Sequence, residues 1–117
     1  MISFTSEQKY YLYPRPMDMR KDIDSLSDIV REDMRLDPLR INGVFIFLSK
    51  KRNMMKILYR GLKRFELLKI RLDEDKFLLP IYDEERNCYR ISWSDFVTIT
   101  ESSAVTQLRI RSLDWNS

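Results

Sequence analysis

The chain has 117 residues, of which 44% are hydrophobic and 12% aromatic, so it can build a single domain around its own core and is not a disordered tail. Its longest unbroken apolar run, Val44 to Leu48, is far too short to cross a bilayer, and the opening residues "MISFTSEQKYY" lack the basic start and apolar stretch of a signal peptide. The net charge of +3 is unevenly spread: residues 1–17 carry +1, residues 18–37 carry −3, residues 38–72 carry +9 and residues 73–117 carry −4, an asymmetry that speaks about partners rather than fold.

The first element is "YYLY", Tyr10 to Tyr13, rich in strand formers and stopped by Pro14 and Pro16. Next, Met19, Ile23, Leu26, Val30 and Met34 recur at helical spacing with Ile29 beside them, which predicts an amphipathic helix over about 19–35. Asp18 is the expected N-cap, and Asp37-Pro38 the stop. After Gly43 the period changes. "VFIFLS" is apolar on both faces and reads as a central strand. "MMKILYR", "RFELLKIRL" and "FLLPIY" follow, separated by short polar turns, and read as an antiparallel meander. "CYRI" is a further strand. Ser92 and Asp95 in "SWSD" have the form of a capping box, so a short helix is expected over about 93–99, burying Trp93, Phe96 and Val97. In the tail, Leu108 and Ile110 alternate with Arg109 and Arg111 as an edge strand would. The expectation is one α+β domain over residues 1–117: an N-terminal amphipathic helix on a mostly antiparallel sheet, with a short C-terminal helix. Met19, Ile23, Leu26, Val30, Phe45, Phe47, Ile57 and Leu68 are expected to be buried together, because the helical stripe has only the sheet to cover it.

The order of these features resembles a known family. Asp18-Met19-Arg20-Lys21 opens the helix and Asp37-Pro38 follows it. Then come Gly43 to Phe47 with the basic turn, Lys56-Ile57-Leu58-Tyr59, Arg71-Leu72, Lys76-Phe77 and the terminating Pro80. Over roughly Tyr10 to Pro80 the chain is similar to the small TnpB accessory proteins of the insertion sequence sixty-six family of bacterial mobile elements, which are unrelated to the RNA-guided nuclease of the same name. The resemblance implies a helper of a separate transposase encoded by the same element. It supplies no catalytic residue to carry over.

The residues themselves offer little for catalysis. There is no histidine, which removes the commonest general base and metal ligand. The acidic clusters Asp73-Glu74-Asp75 and Asp83-Glu84-Glu85 fall in expected turns, whereas metal-dependent nucleases hold their carboxylates on rigid elements. Gly43 and Gly61 are the only glycines, so no phosphate-cradling loop exists. The single cysteine, Cys88, cannot form an internal disulfide. It reads as a small hydrophobe in a reducing, cytoplasmic setting. No enzyme, metal or cofactor is expected.

The basic middle third is the strongest functional signal. Lys50, Lys51 and Arg52 occupy one hairpin tip, while Lys56 with Arg60, and Lys69 with Arg71, each alternate along one strand. Together they make a candidate DNA-backbone patch, whose binding would be largely sequence-independent and salt-sensitive. The plainer reading is that lysines at turns and strand edges guard against aggregation. Phe65, Tyr59 and Tyr82 are candidates to stack bases, although alternating aromatics are more often core. A rival reading uses the helix. Asp24, Asp28 and Glu32 on its polar face would dock a basic surface of the transposase, or of a second copy of this chain, and the protein would be an adaptor that never touches DNA.

Overall fold

A computed structural model describes residues 4–77 and 86–101. Five strands and two helices follow one another as β1 (Lys9–Leu12), α1 (Ile23–Glu32), β2 (Gly43–Leu48), β3 (Met54–Gly61), β4 (Arg64–Arg71), β5 (Tyr89–Ile91) and α2 (Trp93–Glu101). The strands form one sheet in the order β4-β3-β2-β1-β5. The expected meander is β2-β3-β4, paired antiparallel from Val44 opposite Tyr59 to Gly61 opposite Arg64. β5 pairs antiparallel with β1. Among the described strands the one parallel pair is β1 with β2, Tyr11 lying opposite Phe45. Parallel neighbours need a crossover, and α1 supplies it, so β1-α1-β2 is a βαβ unit. The sheet is thus mostly antiparallel and the architecture α+β, as the pattern of elements predicted.

β2 lies in the middle and is buried at all six positions, which is what an apolar run without alternation requires. The strand period of two then sorts the core into two faces. On one, Leu26, Val30 and Met34 of the α1 segment pack with Tyr11, Tyr13, Phe45, Phe47 and Leu58. On the other, Phe96 and Ile99 of α2 and the anchored Phe77 pack with Tyr10, Leu12, Val44, Ile46, Ile57 and Tyr59. The molecule therefore has three layers, helix on sheet on helix. This corrects the expected single cluster. Ile57 and Leu68 sit opposite each other on the α2 face, whereas α1 covers their neighbours Leu58 and Leu67.

Helix α1 is shorter than its apolar stripe. Asp22 is the N-cap and accepts from the Ile23 amide at 2.8 Å. Asp18, the expected cap, turns back locally: its carboxylate accepts from the Arg20 amide at 2.9 Å and pairs with the Arg20 guanidinium at 2.8 Å. A short Asx turn thus competes with the helix and delays it. At the far end Arg35 is left-handed (φ 58°), and the Leu36 amide closes on the Val30 carbonyl at 2.9 Å, ending the helix before Asp37-Pro38. Helix α2 is capped as expected, the Asp95 amide donating to Ser92 Oγ at 3.0 Å. Phe96 and Ile99 carry its burial, while Trp93 and Val97 are half-buried. The expected strand "FLLPIY" beyond Phe77 and the edge strand of the tail lie outside the described residues.

Gly43 opens β2 at a close approach. A Cβ there would stand 2.9 Å from the Phe45 ring and 3.3 Å from the Arg40 carbonyl oxygen. Gly43→Ala is expected to cost about 1–3 kcal/mol in urea denaturation, as overpacking does. Gly61→Ala meets mainly the mobile end of the Glu66 side chain, at 3.1 Å, and is expected to change little. Equal effects of the two substitutions would contradict this packing.

Candidate nucleic-acid interface

The turn between β2 and β3 is knitted by its two polar ends. Ser49 Oγ accepts from the Met54 amide at 3.2 Å and donates to Asn53 Oδ1 at 3.3 Å, while the Arg52 amide reaches the Ser49 carbonyl at 2.9 Å. Arg52 takes the left-handed conformation (φ 60°) that closes the loop. With Ser49 and Asn53 facing inward, Lys50, Lys51 and Arg52 are left exposed. The next segment docks on the same turn. The Leu72 amide donates to the Asn53 carbonyl at 2.8 Å and the Phe77 amide to the Arg52 carbonyl at 2.7 Å, with the Phe77 ring fully buried. The tip is therefore held from below by backbone bonds and presents its cations to solvent.

The register adds two more cations to this end of the sheet. Arg71 lies opposite Met54 and Lys69 opposite Lys56, so both project from the α1 face of the edge strand β4, and both are exposed. Among the described residues, none of Lys50, Lys51, Arg52, Lys69 and Arg71 has a carboxylate partner; the ion pairs are Arg20–Asp18, Arg31–Asp28 and Arg64–Glu66. The docked segment does bring acids near. Asp73, Glu74 and Asp75 are exposed between the two backbone bonds that fix it to the turn. Among the described residues none of the three is ion-paired with a cation of the patch.

Two residues of the expected patch are placed differently. Lys56 is 7% exposed, and its ammonium donates to the carbonyl of Lys21 just ahead of α1. It carries a buried donor to an otherwise open backbone acceptor and holds the start of the helix to the sheet. Its ammonium is turned inward, onto the backbone ahead of α1. Arg60 lies at the other end of β3, half-buried, with its guanidinium 4.7 Å over the Phe65 ring. Of the candidate stacking aromatics, Tyr59 is core and Phe65 lies under Arg60, while Tyr82 is outside the described residues.

The acidic face of α1 is the rival surface. Asp24, Asp28 and Glu32 are exposed along one side of α1, and Asp28 pairs with Arg31 one turn on. Cys88 is half-buried, and burial pushes its thiol up, away from the reactive thiolate. Among the described residues no group of three or more His, Cys, Asp or Glu could hold a metal ion, and no helix is long and apolar enough to cross a membrane. The residues that sequence reading overlooked are Ser49 and Asn53. The Ser-x-x-x-Asn spacing across a polar hairpin was their signal.

Neither the curated proteins nor the solved structures include a significant match to this chain. A family model does match: that of the IS66 Orf2-like proteins, over residues 8–110. The match covers every described strand and helix, and the chain belongs to this family of accessory proteins associated with the transposition of insertion sequences.

Proposed function

We propose that the protein assists transposition without catalysing it, by binding the DNA backbone through the end of the sheet that carries Lys50, Lys51, Arg52, Lys69 and Arg71. One observation supports this reading above the rest. Register and turn geometry gather five exposed cations at one end, and none is ion-paired among the described residues. Phosphates are the natural counter-charge for such a surface, and among the described residues no helix or paired strand tip projects beside it to read bases, so the affinity is sequence-independent. Lys56 has no share in the site, and Arg60 only a distant one. The setting is the cytoplasm, where the element's transposase would be the protein partner.

In the experiment that tests this, Lys50, Lys51 and Arg52 are all changed to Ser. Binding is then measured to a fragment carrying the element's terminal repeats and to a random fragment of equal length. The expected result is a loss of about tenfold or more on both, with thermal stability almost unchanged because the turn is exposed. A loss confined to the terminal-repeat fragment would mean base readout instead. The second reading, an adaptor that docks the transposase or a second copy, draws on the exposed Asp24, Asp28 and Glu32. It predicts negligible DNA affinity in the unaltered protein, and transposase binding weakened by reversing those three charges.

A further inference from the structure

We propose that a cleft at the β1–β5 edge of the sheet is a separate site for single-stranded nucleic acid, taking one backbone phosphate between Lys9 and Arg90 and the neighbouring base on Trp93. The cleft has a volume of about 150 Å³ and is lined by Ser6, Gln8, Lys9, Arg90, Ser92 and Trp93 together with one edge aliphatic. Among the described residues no carboxylate belongs to its wall. Tyr11 pairs with Arg90 and Tyr10 with Ile91, so Lys9 and Arg90 are diagonal neighbours on the α1 face, while Trp93 packs with Tyr10 and Phe96 on the α2 face, and the cleft joins them around the end of β5. Both are partly exposed, and neither side chain has a hydrogen-bond or ion-pair partner among the described residues. Two like charges held side by side repel each other, and an anion between them removes that cost. The hydroxyl of Ser6 and the fork of Arg90 are suited to the oxygens of a phosphate.

The wall decides the class of ligand. Its two cations and two serine hydroxyls suit a phosphate group, and the half-buried Trp93 lines the same cleft. Its ring is fixed from within by Tyr10, at 5.7 Å between centroids, and by Phe96, at 6.1 Å. A pre-positioned indole beside a phosphate site is a stacking platform, and only an unpaired base can reach it. The cleft lies on the opposite edge of the sheet from β4, four strand spacings away or about 19 Å. It is thus distinct from the basic turn and does not depend on the proposal made for that surface.

The test uses the full chain with Trp115→Phe, so that Trp93 alone fluoresces. The probes are single-stranded oligothymidylate, the corresponding duplex, and inorganic phosphate. Oligothymidylate is expected to quench Trp93 emission, and phosphate to compete only weakly. Arg90→Gln and Lys9→Gln are each expected to weaken oligothymidylate binding by about tenfold, the worth of one charge-assisted contact. Lys63→Gln, at the exposed turn after β3, should leave the quench unchanged, which shows that the loss is not a general effect of removing one positive charge. Circular dichroism checks that each variant folds, and Lys9→Gln serves alone if Arg90→Gln does not. Undiminished quenching in the folded variants would overturn the proposal. So would equal affinity for phosphate and oligothymidylate, since the cleft would then be a simple anion site, and so would stronger quenching by duplex than by single strand.

Discussion

Leu26→Ala is expected to lower the unfolding free energy by about 2–5 kcal/mol. Leu26 is 0% exposed and lies at the centre of the contact between α1 and the sheet, among Val30, Phe45, Phe47 and Leu58. Truncation would leave a cavity whose walls are strands on one side and a capped helix on the other, and neither can collapse freely. The adjacent Ser25 and Asp24 are exposed, so Ala at those positions should change stability by less than about 0.5 kcal/mol. Denaturant midpoints of the three variants check the claim. A small effect at Leu26 would mean that α1 is not held by this stripe.

Lys56→Glu is expected to be comparably severe, at about 3 kcal/mol or more. It places a carboxylate where an ammonium now donates to the Lys21 carbonyl, so acceptor would face acceptor in a site that is 7% exposed. Lys56→Met keeps the aliphatic stem and removes the charge, and it should cost less than about 1.5 kcal/mol. The pair also separates structure from binding. Lys56→Met is expected to bind DNA with unchanged affinity, whereas a phosphate-facing Lys56 would lose affinity with either substitution.

Lys56 also illustrates how much of the candidate site could be seen beforehand. Charge and alternation put it on a strand face with Arg60, and both inferences about position hold. What they could not supply was the helix lying across that face. One clue was available: Lys56 stands alone in "MMKILY", a run apolar on both sides, and a lone lysine there belongs to a strand covered twice. The same limit explains the core. The stripe of α1 and the runs of β2 and β3 were legible because each is a local period. That Ile57 joins α2 while Leu58 joins α1 depends on pairing phase, which a strand without polar alternation does not announce. The parallel pairing of β1 with β2 was hidden for a similar reason. A four-residue strand before a helix has no local mark of direction, and only the crossover reveals it. Asp18 looks like a cap because its Asx turn uses the same side-chain chemistry, four residues before the actual cap, Asp22. The basic turn was legible in full as a charge run, but its fastening by Ser49, Asn53 and the docked 72–77 segment was not.

The measurement that tests the central claim most directly is the salt dependence of DNA binding by the unaltered protein and by the triple Ser variant of Lys50, Lys51 and Arg52. Each neutralised phosphate contributes about 0.9 to the log–log slope on duplex DNA, so five contacts predict a slope of about −4.5. Losing three should bring it to about −2, on terminal-repeat and random fragments alike. A slope near zero in the unaltered protein, or the same slope in both proteins, would contradict the account and leave the basic turn as a solvated loop.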